Sequence, residues 1–482
     1  MTPMETVVAV ARSIEASYAV LAQPVAAPEL PSGSAATVAL AAMRDLFSIW
    51  GLDPERAGTP EWNPLGALIP PGARVVLKPN WVLHYNQAGA GLDCLVTHPS
   101  VIEAALEYVA LAQPSEVVIG DAPLQGCDFQ ALMDACGIDA LAGRFRDRGL
   151  SVRIADFRRT ILHGRGFGDA RSENCRELAG YVLFDLAEQS LLEPLAPDAR
   201  KFRVTMYDPA LLSRTHAPGR HQYLVAREVI AADVVVNLPK LKTHKKACIT
   251  GALKNLVGIN GNKEFLPHHR KGGSASGGDC YPGGSWLKGR AEDLLDAANR
   301  RPEGWARRSL GKAAELTARG ARWLGEDDNL EGSWYGNDTV WRTCLDLQRI
   351  LRYGRLDGSL DPAPQRRVIT LTDAIIGGEG EGPLANTPIA SGFLSAALNP
   401  AAAEWVHARL MGFDPERIPL VREAFGDFPF PLASFSPADI RVLLGGVGQA
   451  VPPACAGQAG IRPPSGLAFR PPEGWRGHCE LL

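Results

Sequence analysis

No two cysteines in this chain are spaced as CxxC. The nine, Cys94, Cys127, Cys136, Cys175, Cys248, Cys280, Cys344, Cys455 and Cys479, are scattered without ligand-like spacing, so a locally encoded iron–sulfur cluster is not expected. An odd, dispersed set also fits reduced thiols in a cytoplasm better than a disulfide framework. No apolar run approaches the roughly 20 residues of a membrane span. The first residues place Glu5, Arg12 and Glu15 among apolar ones, without the basic and apolar blocks of a signal peptide. The expectation is a soluble cytoplasmic protein with no membrane partner. P-loop spacing and a dinucleotide fingerprint are both missing, as is any internal repeat. Basic residues recur from Lys240 to Lys271 and in RRPEGWARR, yet the formal net charge is only -3. With no recognisable RNA or DNA module, a nucleic-acid partner is disfavoured. Nothing in the chain speaks to oligomeric state.

What is present is enough apolar residue to build a large core: 482 residues, 46% hydrophobic and 21% charged, with room for more than one lobe. Periodicity predicts strands over 7–11, 74–78, 116–120 and 152–154, with helices over 36–50, 100–111 and 129–136. Further strands are predicted over 182–185, 223–227, 234–237, 368–371, 393–397 and 441–444. Strands alternating with helices imply right-handed crossovers, hence an α/β fold with a mainly parallel or mixed sheet and flanking helices. From Pro267 to about Asn337 the pattern changes to a glycine-rich stretch, GGSASGGDCYPGGS, followed by one or two basic helices over 292–323. The organisation read from this is a first part of the core over 1–266 and an insertion over 267–337, either a lid or a flexible linker. A second part of the core covers 338–447, and a proline-rich tail over 448–482 wraps or dangles.

The most one-sided segment is Asn237 to Gly273, which gathers lysines, histidines and one arginine against the single acid Glu264. It follows the buried-strand pattern ADVVVN, so its charges begin where a strand ends, the edge at which α/β proteins bind ligands. An anionic small molecule is the partner this implies; a solvated lysine-rich loop is the plainer alternative. Lys240 and Lys242 share strand parity. Thr250, Gly251, Lys254 and Asn255 lie in TGALKN, a helix opening whose free N–H groups would hold phosphate or carboxylate oxygens. Lys78 and Asn80 end an earlier strand, and Asp121 follows another. A surface ion pair for Lys78 and a cap for Asp121 are the competing readings.

These segments, VVLKPN, THPSVIEAAL, VVIGDAP, DVVVNLPKLKTH, TGALKNLVGIN, TDAIIGGEGEGP and MGFDPERIP, together resemble the DUF362 family, a set defined by sequence with no agreed activity. NKEFLPHHRKGG and GNDTVWRTCLDLQRIL resemble a subgroup often found near polysaccharide or secondary-metabolite genes. The resemblance implies a fold more than a function. Family members often carry ferredoxin-like cysteine clusters, from which this chain departs; an accessory redox or scaffold role is the reading those relatives suggest.

In TDAIIGGEGEGP the strand is expected to end near Asp373, with glycines forming a tight loop that carries Glu379 and Glu381 to a ligand. Two such carboxylates suit a divalent cation, a substrate hydroxyl or general-base work, unless the turn is only polar. Two of His98, His244, His268 and His269, with Asp121, Glu379 or Glu381, would make a two-histidine, one-carboxylate set for a divalent ion such as iron, magnesium or manganese. Alternatively one histidine is a general acid or base, or simply a structural hydrogen-bonding residue. The reading as a whole is an enzyme on an anionic phosphorylated or carboxylate metabolite. Lys78, Asn80, Lys240, Lys242, Lys254 and Asn255 bind the substrate; His244, Glu379 and Glu381 do the chemistry; His98, Asp121, His268 and His269 are the metal candidates.

Overall fold

The computed structural model describes residues 3–22, 27–31, 34, 36–163, 171–327, 329–446, 454–463 and 467–481. Its frame is a twelve-stranded mixed sheet, assembled from strands β1 (Val7–Arg12), β2 (Arg74–Pro79), β3 (Glu116–Asp121), β4 (Val152–Asp156), β5 (Val234–Leu238), β6 (Lys240–His244), β7 (Cys248–Thr250), β8 (Arg367–Glu381), β9 (Ala385–Ile389), β10 (Phe393–Ala397), β11 (Arg441–Gly445) and β12 (Ala454–Gly457). The main path runs β12-β11-β1-β10-β8-β5-β2-β3-β4. From β8 to β4 every neighbouring pair is parallel, whereas β10 runs antiparallel to both β1 and β8. The α/β reading with a mixed sheet is therefore correct. The strands over 181–185 and 220–226 form a separate small sheet with His216–Ala217.

Continuous β-branched runs make strands buried on both faces. Val75, Leu77, Val234 and Val236 pack on one side, with helices α1 (Val38–Trp50) and α2 (Pro99–Leu111); Val76 and Val235 pack on the other. The second side is covered by α4 (Ala252–Asn255), α7 (Val340–Tyr353) and α8 (Pro400–Leu410), while α3 (Phe129–Cys136) joins the first. Local chemistry sets the ends. Thr37 caps α1 by accepting from the Leu40 N–H at 3.1 Å, and His98 caps α2 just before Pro99, a residue that loses no helical hydrogen bond in the first turn.

Two expectations are corrected. Gly377, Gly378 and Gly380 of TDAIIGGEGEGP do not make a loop: they lie within β8, which runs for 15 residues to Glu381, and Gly382 falls in the turn that follows. Gly377 and Gly378 are glycines because neighbours press on the strand. A Cβ at Gly378 would overlap the Cys94 carbonyl and the side chains of Lys242 and Asn386; one at Gly377 would strike Phe469 and Ser391. Glycine inside a strand marks such close approaches, and β8 needs them because β6, β9 and β10 all pair with it. The segment 267–337 is also no open linker. Its two helices are α5 (Trp286–Asn299), which Ser285 caps and which begins earlier than the sequence suggests, and α6 (Trp305–Trp323), which lies within the expected span. The glycine stretch is folded on itself by Cys280 N–H to Gly272 O at 3.0 Å and Ala275 N–H to Gly283 O at 3.0 Å. Arg203 pairs with Asp296 at 2.9 Å, and Asp279 accepts from Thr339 at 2.6 Å, tying the segment to the core. The tail wraps rather than dangles over 467–481, with Trp475 and Cys479 buried; residues 447–453 and 464–466 lie outside the described residues.

Candidate active site

The carboxyl ends of β2, β3 and β5 lie side by side, and beyond them opens a cavity of about 690 Å³, the position expected for a ligand in a parallel sheet. Its basic lining is Lys78, Lys242, Lys246, Lys254, Lys263, His244 and His268; its acidic lining is Asp121 and Glu331. Lys78, the last apolar-run position of β2, is buried and meets Asp121 at 2.6 Å. Its ammonium also donates to Pro79 O at 2.7 Å and to Asn255 Oδ1 at 3.1 Å. Asp121 in turn accepts the Trp81 N–H at 2.7 Å. Asn255 accepts from Asn80 at 2.9 Å and donates to Asn237 at 2.8 Å. Burial pulls the Lys78 pKa down and pushes the Asp121 pKa up, each opposed by the other's charge. Gly258 lets this pair exist, since a Cβ there would overlap both side chains.

With Asp121 committed to Lys78, the remaining cations outnumber the acids. Among the described residues the Lys254 and Lys263 ammonium groups have no hydrogen-bonding or ion-pair partner, and that of Lys246 reaches only Glu331, at 3.7 Å. Burial first, and then the Lys254 charge, lowers the Lys263 pKa to about 8. Lys242 donates to the Leu95 carbonyl, but burial and the repulsion of Lys240 hold its pKa well below the usual lysine range. Several buried polar atoms on the cavity are also without a partner within the described chain: Trp81 Nε1, Gln125 Nε2, Tyr207 Oη and Thr250 Oγ1. Leaving such atoms unpaired costs about 1–3 kcal/mol each, a cost that a polar ligand would offset.

The two histidines carry complementary tautomers. His244 Nδ1 accepts the Lys246 N–H at 3.0 Å, so the neutral ring holds its proton on Nε2. His268 Nδ1 lies 2.6 Å from the Leu266 carbonyl, so it must donate and Nε2 keeps a lone pair. Both pKa values fall well below the usual range, through burial and then nearby lysines. One ring is thus a donor and the other an acceptor at neutral pH.

Of the residues singled out in the sequence, Lys78, Asn80, Asp121, Lys242, His244, Lys254, Asn255 and His268 share this cavity. Five do not. Lys240 is turned to Asp373 at 2.5 Å and to Tyr18 at 2.6 Å, because the β6–β8 register shifts between Lys240 and Lys242 and equal parity no longer means a common destination. His98 stacks on Tyr18, ring centroids 3.7 Å apart. Glu379 accepts the Arg470 N–H at 2.9 Å, and Glu381 the Glu473 N–H at 2.7 Å; both hold the tail. His269 follows His268 on a two-residue strand, His269–Arg270, and lines a different, smaller cavity. The helix opening at TGALKN is already occupied by the protein's own anion: the Ala252 N–H donates to Glu404 at 2.6 Å. Sequence reasoning missed Lys246, Lys263, Trp81, Gln125 and Tyr207. The two lysines sit inside the one-sided basic run and were within reach; nothing local marks the other three.

A second cavity of about 620 Å³ lies at the opposite ends of the parallel strands, near Asp233, Val234 and Arg366 to Val368. Its charges are matched internally: Arg352 with Glu5 at 2.9 Å, Arg74 with Asp233, and Arg366 and Arg367 with backbone carbonyls. Among the described residues it has no convergent set of unpaired ionisable groups.

The model of the family described as domain of unknown function DUF362 matches residues 75–162 and 190–409, which include all of the cavity's basic lining. A thylakoid-associated protein of Synechocystis sp. is 27% identical over 209 residues, covering 43% of this chain and 46% of that protein. The chain thus spans about half the length of the curated relative it matches. A crystal structure of a protein from Thermotoga maritima aligns with 67% of this chain and 52% of its own, at 11% identity and a TM-score of 0.29, too distant to carry an argument. No described helix is long and apolar enough to cross a membrane.

Proposed function

The chain belongs to the DUF362 family, and from that premise we propose that its lysine-lined cavity is the active site of a cytoplasmic enzyme acting on a small phosphorylated or carboxylate metabolite. One observation carries this reading: five lysines and two histidines line one cavity whose two acids both already face lysines. Holding such a set together costs free energy by mutual repulsion, which an anion of matching size offsets. Lys254 and Lys263 bind the anion as point charges. With the anion's charge offsetting the lysines that lower both pKa values, His268 Nε2 would accept a proton and His244 Nε2–H would donate one beside it. Of the residues expected in a metal set, His244, His268 and Asp121 reach this cavity, but Asp121 is paired with Lys78 at 2.6 Å and the three do not bring their ligand atoms together, so acid–base chemistry is the proposal here. A nucleic-acid strand is poorly suited to lysines set in the lining of a cavity of about 690 Å³, whereas a small molecule is well suited.

The test is calorimetry with inorganic phosphate, pyrophosphate, citrate and sugar phosphates, repeated with Lys254→Gln and Lys263→Gln. Saturable binding that both substitutions weaken is the expected result. Equal heats for wild type and variants with every anion would end the proposal.

A further inference from the structure

On the other side of the His268–His269 pair lies a second, smaller site. His269, Cys280 and Glu292 bring one ligand atom each to within 4.8 Å of one another, around a pocket of about 70 Å³. All three belong to the segment 267–337. We propose that these three side chains bind a divalent transition metal ion of the zinc class, independently of the lysine-lined cavity.

The donor set is the first argument. An imidazole, a thiolate and a carboxylate are the ligand types that borderline-soft ions select, and three protein ligands with an open fourth position is a recurrent zinc arrangement. A second, independent observation points the same way. His269 is 4% exposed, and its Nδ1 has no hydrogen-bonding partner. A buried imidazole nitrogen left bare has a cost, and a metal bound to this ring would remove it directly or by fixing its tautomer.

One hydrogen bond at the sulfur favours a thiolate. Cys280 is 1% exposed, and its sulfur accepts the Glu331 N–H at 3.1 Å, the kind of outer hydrogen bond that stabilises charge on a ligating sulfur. Cys280 N–H is fixed on Gly272 O at 3.0 Å, while the Gly272 N–H lies 3.1 Å from each oxygen of Glu292. One glycine thus positions two of the three ligands. Burial raises the pKa of both Cys280 and Glu292, and the Glu292 charge raises that of Cys280 further, so without an ion the thiol keeps its proton. A divalent ion would displace that proton from the thiol, and the two negative ligands would neutralise its charge.

The experiment uses the full chain, stripped with chelator and titrated with Co²⁺, then with Zn²⁺ in competition. Stoichiometric Co²⁺ binding with a thiolate-to-cobalt charge-transfer band, displaced by Zn²⁺, is expected. Cys280→Ser should abolish the band, His269→Gln and Glu292→Gln should each weaken binding by about 100-fold or more, and Cys344→Ser should leave it intact. Circular dichroism checks that each variant is folded; if Cys280→Ser is not, the folded Glu292→Gln variant decides. Absence of stoichiometric binding, a band that survives Cys280→Ser, or unchanged affinity in Glu292→Gln overturns the proposal. Phosphate calorimetry on the same proteins reads the lysine cavity separately, so failure of one site does not imply failure of the other.

Discussion

Replacing Lys254 by glutamine separates a binding cation from a structural one. Among the described residues the Lys254 ammonium has no partner, yet its charge depresses the pKa of Lys78, Lys242, His244, Lys246, Lys263 and His268. In the free protein it is therefore a net repulsive element, and removing it should leave stability unchanged or raise it by about a few tenths of a kcal/mol. For a bound anion the sign reverses. A charged hydrogen bond is worth about 1.5–3 kcal/mol, below the upper bound of about 4 kcal/mol for unit charges 4 Å apart at an effective dielectric constant near 20. At about 1.4 kcal/mol per tenfold, phosphate affinity should fall roughly 10- to 150-fold. A second readout follows from the same charge: since Lys254 is the leading cause after burial of the low Lys263 pKa of about 8, the variant should move that titration toward higher pH. Urea unfolding, calorimetry and a pH series of binding measure all three. If the variant loses more than about 1 kcal/mol of stability while binding phosphate as before, Lys254 is structural and the reasoning is refuted.

Lys78→Met should instead destabilise by about 3–5 kcal/mol, because it strands the buried Asp121 carboxylate; a fully stable variant in urea unfolding would mean that the pair is not what holds β2 to β3. Phosphate affinity should decline as pH rises through about 8, where Lys263 loses its proton. Stability should show the opposite trend: the unfolded chain, with an ordinary lysine pKa of about 10.4, binds more protons over that window, so unfolding free energy rises with pH between about 8 and 10. Affinity that is flat from pH 7 to 10 would remove Lys263 from the site. Glu379→Gln with Glu381→Gln should loosen the tail, seen as faster hydrogen exchange or proteolysis over 467–475, while leaving phosphate affinity within about twofold of wild type; loss of affinity with an unmoved tail would return these carboxylates to the chemistry.

The strands around the site were legible because their residues are apolar in unbroken β-branched runs, and a doubly buried parallel strand has no other use for that pattern. The strand ends at Lys78, Asp121 and Asn237 were legible for the same reason: the run stops where the polar residue begins. β8 was misjudged because glycine carries two meanings, a loop that turns or a strand pressed by neighbours, and only the positions of Lys242, Asn386 and Phe469 choose between them.

The sequence by itself determined an α/β protein with a concentrated positive segment opening from a strand end, since apolar periodicity and local charge are properties of the chain. Which cations share a cavity was decided only in three dimensions. The register shift between Lys240 and Lys242 sends one lysine to Asp373 and the other to the cavity, and His268 and His269, adjacent in the chain, line different pockets. Tyr207 and Gln125 reach the lining from distant loops, and Cys280 and Glu292 meet His269 only because the glycine stretch folds back on itself. Contacts between residues far apart in the chain depend on register and packing, and neither has a local signature.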